Sequence, residues 1–326
     1  MREEFGRADL VFVNLEAPIT SSTRPTPYKN RAEVAAGRDY ILRTTNAEFP
    51  RHLEDTGVGL VGLANNHMMD YMAVGLRDTL QALRRADLAF VGAGVKEDAE
   101  RPFVLEKGGV RIALLAFSDV VPRNSSATET TLGIASAKND ADLVNAIRRA
   151  GRKADFVVLM MHWGGQGNHL ITARQRRLAQ IAAEAGCDAV IGMHPHVLQG
   201  AEYFGRVPVL YSIGNFAFPS SPPAARECVL AKLVFNSKKL DEVEVVPVEI
   251  AADGAPRVAV GDRGQAILDD LDGFCRMFNV KVKEGRLERA RLRLPLRYDQ
   301  KAGGRARESA RGSRGLGKRA RRTGEL

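Results

Sequence analysis

The sequence predicts an α/β fold of layered sheets, and three observations predict it. Apolar runs of strand length recur through the first two hundred or so residues and are continuous rather than alternating, as in strands covered on both faces. Amphipathic helical segments lie between several of these runs. After Phe216 the pattern changes to period two, the mark of antiparallel strands.

In chain order the strand segments are Asp9–Leu15, Val58–Ala64, Leu88–Gly92, Arg111–Phe117, Phe156–Met161, Ala189–Gly192 and Val207–Ile213. Between the first two lies a long loop, Thr20–Asn46, with Tyr28 and Arg43, expected to cover a site. The helix Asp70–Ala86 brings Tyr71, Val74, Leu80 and Leu83 near one face, and Asp140–Arg149 offers Leu143 and Ile147. Thr172–Ala185 opens on a Thr N-cap and repeats Leu178, Ile181, Ala182 and Ala185. Val229–Phe235 and Glu242–Ile250 are the period-two strands.

The 326 residues suffice for one large domain or two ordinary ones, and 44% apolar content allows a substantial core. No run reaches the roughly 18 apolar residues of a spanning helix. Met1-Arg2-Glu3-Glu4-Phe5 leads almost directly into a strand, so no signal peptide is expected. The formal charge of +9 is concentrated at the C-terminus: Lys281–Leu326 holds 16 Lys/Arg against 5 Asp/Glu, which leaves the preceding residues at −2. A near-neutral body speaks against specific nucleic-acid binding. The expected organisation is a body over residues 1–285 and a basic Arg/Gly-rich segment, 286–326, too poor in large apolar groups to offset its ordering entropy. Cys187, Cys228 and Cys275 lack Cys-x-x-Cys spacing and are expected as buried free thiols.

In open α/β sheets, sites form beyond the carboxyl ends of strands. The apolar runs here end in Asn14-Leu15-Glu16, in Asn65-Asn66-His67 followed by Asp70, in His162-Trp163-Gly164, in Met193-His194-Pro195-His196, and in Gly214-Asn215-Phe216. Four of the six histidines thus stand at strand ends, beside a carboxylate and amides. Imidazole, carboxylate and amide oxygen form a mixed N/O donor set suited to Mn, Fe or Zn, not a thiolate zinc site. Glu16, Asn66, His162, His194 and His196 are expected to meet around a common pocket. In His194-Pro195-His196 an extended chain would project both imidazoles to one side; the alternative is a turn with solvent-facing histidines. His52 is expected near a helix start, His169 in a Gly-rich loop, and Trp163 in the packing.

These stretches resemble the capsule synthesis CapA family, the poly-γ-glutamate biosynthesis group with a calcineurin-like metallophosphatase fold. The matching segments are Asn14-Leu15-Glu16-Ala17-Pro18, Ala64-Asn65-Asn66-His67 with Asp70, Val91-Gly92-Ala93-Gly94, His162-Trp163-Gly164, Gly192-Met193-His194-Pro195-His196-Val197-Leu198-Gln199 and Tyr211-Ser212-Ile213-Gly214-Asn215-Phe216. The resemblance implies a four-layer α/β/β/α sandwich with mixed sheets and a dinuclear metal centre. It implies Glu16 as bridging carboxylate, Asn66, His162 and His194 on one metal, and His196 facing the other. It implies His67, with Asp70, as acid or transition-state stabiliser. Three positions depart from the family pattern. The upstream Gly-Asp strand has no counterpart before Asp9, which leaves the second metal site short of a ligand. Gln166 stands where Glu is usual, and Met193 where a further His is common.

The functions to weigh are capsule or poly-γ-glutamate synthesis or export on a metallophosphatase-like scaffold; metal-dependent hydrolysis of a phosphoester or an amide-linked polymer; and non-catalytic binding of an anionic polymer aided by the basic segment, an attraction weakened by salt. The expected partner is an anionic capsule polymer or its synthesis machinery. The family works at the outer face of the membrane, usually through a tether, and no such segment is expected within this chain.

Overall fold

The computed structural model describes residues 1–289 apart from 38 and 219–221. Three parallel strands, Phe12–Asn14, Leu60–Gly62 and Ala89–Val91, form a first sheet. A six-stranded mixed sheet runs Leu198–Phe204, Val207–Ile213, Ala189–Met193, Phe156–His162, Val110–Ser118, Phe103–Lys107. Its inner strands are parallel and its edges antiparallel. The continuous apolar runs are the parallel strands, as their two-sided burial requires. The edge strands Phe103–Lys107 and Leu198–Phe204 were not expected: their mixed polarity reflects partial exposure in one and, in the other, Glu202, buried against Tyr211 Oη (2.9 Å) and Arg176.

The two sheets face each other. A Cβ on Gly62 would stand 2.6 Å from Met160 Sδ and 3.4 Å from Ala116 Cβ, which shows how closely the first sheet lies over these strands. Side chains alternate along a strand. Met160 therefore points to the first sheet, while Val157 points away, toward the helix Asp140–Gly151. The helix Ala173–Ala185 packs Leu178, Ala179 and Ala182 into the same core as Val190 and Val209. The helix Met72–Arg85 lies against Ala89–Val91. The result is the expected four-layer α/β/β/α arrangement. Each buried Leu, Ile or Val adds roughly 1.5–3 kcal/mol through its removal from water.

Ile191 and Leu210, on the other half of the same face, meet a second core with Val229, Val243, Val245, Ile267 and Leu271. These come from a five-stranded antiparallel sheet, including Glu227–Phe235 and Leu240–Ile250, and the helix Gly261–Cys275. Among the described residues no helix is long and apolar enough to cross a membrane. All three cysteines are buried and free.

Three expectations need correction. Val74 is 47% exposed, and the buried stripe of its helix is Gly75, Leu76, Thr79, Leu80 and Leu83. Thr79 can take a core position because its hydroxyl accepts from Ile19 N (2.8 Å) and donates to Gly75 O (2.7 Å). The body does not stop at Gly285: Arg286–Arg289 pairs antiparallel with Val280–Lys283, burying Leu287 in the second core. The rest of the expected basic segment lies outside the described residues. The loop Thr20–Asn46 contains a short helix, Arg31–Ala35, capped by Asn30, and a bridge between Ile19 and Thr44.

Candidate metal centre

Sheet register assembles the site. In the six-stranded sheet His162 pairs with Met193, which sets His162 beside His194 with ring centroids 4.6 Å apart. In the first sheet Asn14 pairs with Gly62, so the chain ends carrying Glu16 and Asn66 emerge together. Because the sheets face each other, the two pairs converge. Ligand atoms of Glu16, His162 and His194 all lie within 4.8 Å of one another. His162 Nε2 is 2.7 Å from Asn66 Oδ1 and 3.6 Å from Glu16 Oε1, and His196 Nε2 is 3.7 Å from that same carboxylate oxygen. The structure thus gathers all five residues in one place.

His194-Pro195-His196 is a turn and not an extended segment, contrary to the simplest sequence reading. His194 has φ 98° and His196 φ 60°. The reason is topological. Ala189–Met193 and Leu198–Phe204 flank Val207–Ile213 on opposite sides and run in opposite directions. The chain must cross over that strand and reverse within His194–Val197. Positive φ at a non-glycine costs on the order of 1–3 kcal/mol, and such strain gathers at functional sites. The turn is held by Ser212 Oγ donating to Val197 O (2.7 Å) and Gly167 N donating to Pro195 O (2.8 Å). The histidines nevertheless face inward: the His194 side chain is buried, and His196 shares a 2.7 Å hydrogen bond between Nδ1 and Asn215 Oδ1. Gly192 allows the turn its position, since a Cβ there would meet Tyr211 O at 2.1 Å and Trp163 Nε1 at 2.4 Å. Trp163 is fully buried and donates to Tyr211 O (2.8 Å), a packing role as expected.

A chain of amides orients Glu16. Asn14 Nδ2 donates to Glu16 Oε2 (2.9 Å), and Asn65 Nδ2 donates to Asn14 Oδ1 (3.0 Å) and Leu15 O (2.8 Å). Asn65 Oδ1 in turn accepts from the backbone of His67 and Met68. The other carboxylate oxygen, Glu16 Oε1, is buried without a hydrogen-bond partner, as are His162 Nδ1 and His194 Nδ1. Burial raises the Glu16 carboxyl to about 8, against the lowering hydrogen bond from Asn14. Burial and the neighbouring His194 hold His162 well below the usual imidazole range; burial and His196 push His194 down to about 3; burial also lowers His196. Each orphaned buried polar atom costs about 1–3 kcal/mol. A divalent cation would satisfy Glu16 Oε1 and take one nitrogen from each facing imidazole, using neutral imidazoles and a carboxylate it stabilises as the anion. The residues fit such an ion.

Beside this cluster, His67 Nδ1 lies 2.8 Å from Asp70 Oδ2 and 3.0 Å from Lys29 Nζ. It donates to the first in one tautomer and accepts from the second in the other. Lys29 is a residue the sequence did not reveal, because a lone lysine in a polar loop carries no pattern. It is buried, 2.6 Å from Asp70 Oδ1, and donates to Tyr40 O (2.6 Å). Asp70 also accepts from Leu42 N (2.7 Å), so a single carboxylate ties the loop to the site. Tyr28 and Arg43 do not enter it: Tyr28 is 45% exposed, and Arg43 stacks over Tyr71 at 5.0 Å. His169 shares a 2.8 Å hydrogen bond with Leu198 O and stacks on Phe274; His52 is exposed in the helix Phe49–Asp55.

Fold and site together define an α/β sandwich with a buried histidine–carboxylate cluster where its two facing sheets meet. The model of the bacterial capsule synthesis protein PGA_cap matches residues 1–220. The chain is 32% identical over 286 residues to the PGA biosynthesis protein CapA of Bacillus subtilis (strain 168), covering 87% of this chain and 72% of that protein. It is 33% identical over 254 residues to the capsule biosynthesis protein CapA of Bacillus anthracis, covering 77% of this chain and 60% of that protein. Among solved structures, a putative 5'-nucleotidase from Staphylococcus aureus is similar with a TM-score of 0.42 and 14% identity, over 82% of this chain and 50% of that one. The chain belongs to the bacterial capsule synthesis protein family.

Proposed function

We propose that the protein acts in the synthesis or export of an anionic capsule polymer of the poly-γ-glutamate type, and that Glu16, Asn66, His162, His194 and His196 hold divalent metal. The convergence of Glu16, His162 and His194 ligand atoms within 4.8 Å, with Glu16 Oε1 buried and unpartnered, is the observation that carries the metal reading; the relatives' names support the polymer. Mn, Fe or Zn suits the donor set. His196 marks the second metal position, which has the sparser set of ligands. In this reading the work is done at the outer face of the membrane, with the polymer or its synthesis machinery as partner, and the family resemblance supports both.

Metal-dependent hydrolysis of a phosphoester or an amide-linked polymer is the second reading, favoured by the His67–Asp70 contact beside the cluster. Divalent cations supply Lewis-acid polarisation of an acyl or phosphoryl oxygen and a water of lowered pKa. The chain's own residues do the rest. Asn14 and Asn65 fix the Glu16 carboxylate. Asp70 holds the Nδ1 proton of His67, which leaves Nε2 as the nitrogen that exchanges a proton with a departing group. The loop anchored by Lys29 and Asp70 excludes water from that exchange.

The test is metal analysis after reconstitution with Mn, Fe or Zn. About one equivalent or more is expected in the wild type, and almost none in the His194→Ala/His196→Ala variant, with its fold retained by circular dichroism. Less than about half an equivalent in the wild type, or equal content in the variant, removes the metal reading. For hydrolysis, His67→Ala should lower turnover of p-nitrophenyl phosphate or of poly-γ-glutamate by about 10²–10⁴ while metal content stays constant; unchanged turnover removes the role of His67.

A further inference from the structure

We propose that the groove along the outer face of the helix Met72–Arg85 binds an extended, carboxylate-bearing chain at a site separate from the metal centre. Arg77, Gln81 and Arg84 are spaced four and three residues apart, so they form one stripe on the helix. All three are exposed, and they line a cavity of about 500 Å³ with Phe90, Pro102 and Phe103. Among the described residues neither Arg77 nor Arg84 forms an ion pair. The Arg84 guanidinium lies 5.4 Å from the centroid of the Phe90 ring, which pre-orients it without neutralising it. Elsewhere at the rim Arg101 pairs with Asp98 at 2.7 Å and with Glu97 at 3.4 Å, one cation against two carboxylates, and neither carboxylate pairs with the stripe. The groove therefore presents two uncompensated guanidiniums over a partly apolar floor.

The geometry selects the ligand. Seven residues of helix separate the two arginines by about 10.5 Å along the axis. A row of anions along the groove can meet both, each taking a bidentate guanidinium contact, and competition by free glutamate decides whether one small anion serves as well. The half-buried Phe90, Pro102 and Phe103 suit methylene groups between the charges. A phosphate polymer offers no such apolar stem; an acidic polypeptide does. Glutamate as the repeating unit rests on the capsule-polymer reading above. The helix begins two residues after Asp70, so the groove leads away from the candidate centre along the same element.

The test is fluorescence anisotropy of labelled poly-γ-glutamate with the full chain at about 0.1 M salt, where distant charges are screened. Wild type should bind. Arg77→Ala/Arg84→Ala should weaken binding about tenfold or more, and Arg77→Lys/Arg84→Lys should fall between, since lysine keeps the charge but loses the fork. Arg148→Ala/Arg152→Ala removes the same charge elsewhere and should leave affinity unchanged. Free glutamate at equal carboxylate concentration should not compete. Equal affinity in the Arg77/Arg84 double alanine variant, equal loss in the Arg148/Arg152 control, or equally strong competition by polyphosphate overturns the proposal. Metal content is measured on the same samples. No polymer binding with metal uptake intact sinks the groove alone; polymer binding lost on Arg77/Arg84 substitution without metal uptake sinks the metal centre alone.

Discussion

Removing the charge of Glu16 should change how metal uptake depends on pH. In the metal-free protein burial holds this carboxyl at about 8, against an ordinary value of 4.5. A bound cation needs the carboxylate, so binding below about pH 8 must expel one proton. Apparent affinity should then rise about tenfold per pH unit up to that value and flatten above it; between pH 6 and 8 the gain is roughly a hundredfold. The histidines add no slope there, because burial keeps His194 near 3 and His162 well below its usual range, so both are already neutral. The E16Q variant has no proton to lose. Its affinity should be weaker at pH 8, and its slope should vanish. The linked effect on stability has a definite sign. Between 4.5 and about 8 the folded state binds the proton and the unfolded state does not, so metal-free stability falls as pH rises across that window. The loss is on the order of a few kcal/mol, and E16Q should abolish it. Isothermal titration with Mn at three pH values and urea unfolding of the apo protein measure both. A wild-type affinity that stays flat from pH 6 to 8, or an E16Q variant that keeps the slope, would refute the assignment of that proton to Glu16.

Other outcomes follow from the same contacts. Lys29→Ala leaves Asp70 as an uncompensated buried charge and should cost about 3–5 kcal/mol in urea unfolding, with faster proteolysis in the loop Thr20–Asn46; a loss below about 1 kcal/mol would show that the pair does not hold the loop. Asn65→Ala removes two side-chain donations and two acceptances, and should cost about 2–4 kcal/mol and weaken metal uptake; normal uptake at reduced stability would mean that Glu16 is oriented without it. Gly192→Ala would place a Cβ 2.1 Å from Tyr211 O and should lower the thermal midpoint by about 10 °C or more, or prevent folding. An unchanged midpoint would contradict the close approach.

What the sequence by itself determined is local. Continuous apolar runs identified the parallel strands, because burial on both faces leaves no alternation. Thr172 announced its helix, and its capping box with Gln175 is present. The polar residues that ended each run supplied the ligand types and their position at the carboxyl ends of strands. Family resemblance then named roles for Glu16, Asn66, His162, His194 and His196. The local signal failed where a residue's environment is made by distant chain. Val74 reads as core, yet Thr79 takes that face through hydrogen bonds to Gly75 and Ile19.

Only the tertiary structure decided the rest. The register of His162 with Met193 and of Asn14 with Gly62, and the stacking of the two sheets, bring the five residues to one point. Sheet order forces His194-Pro195-His196 into a reversal with positive φ, which no run of six residues could announce. Lys29 joins His67 and Asp70 across a loop. Protonation states also belong to this level, since desolvation depends on every atom packed around a group and not on its neighbours in the chain. Short-range pattern sets what a segment is; proximity in space, which sets what it does, is a property of the assembled sheets.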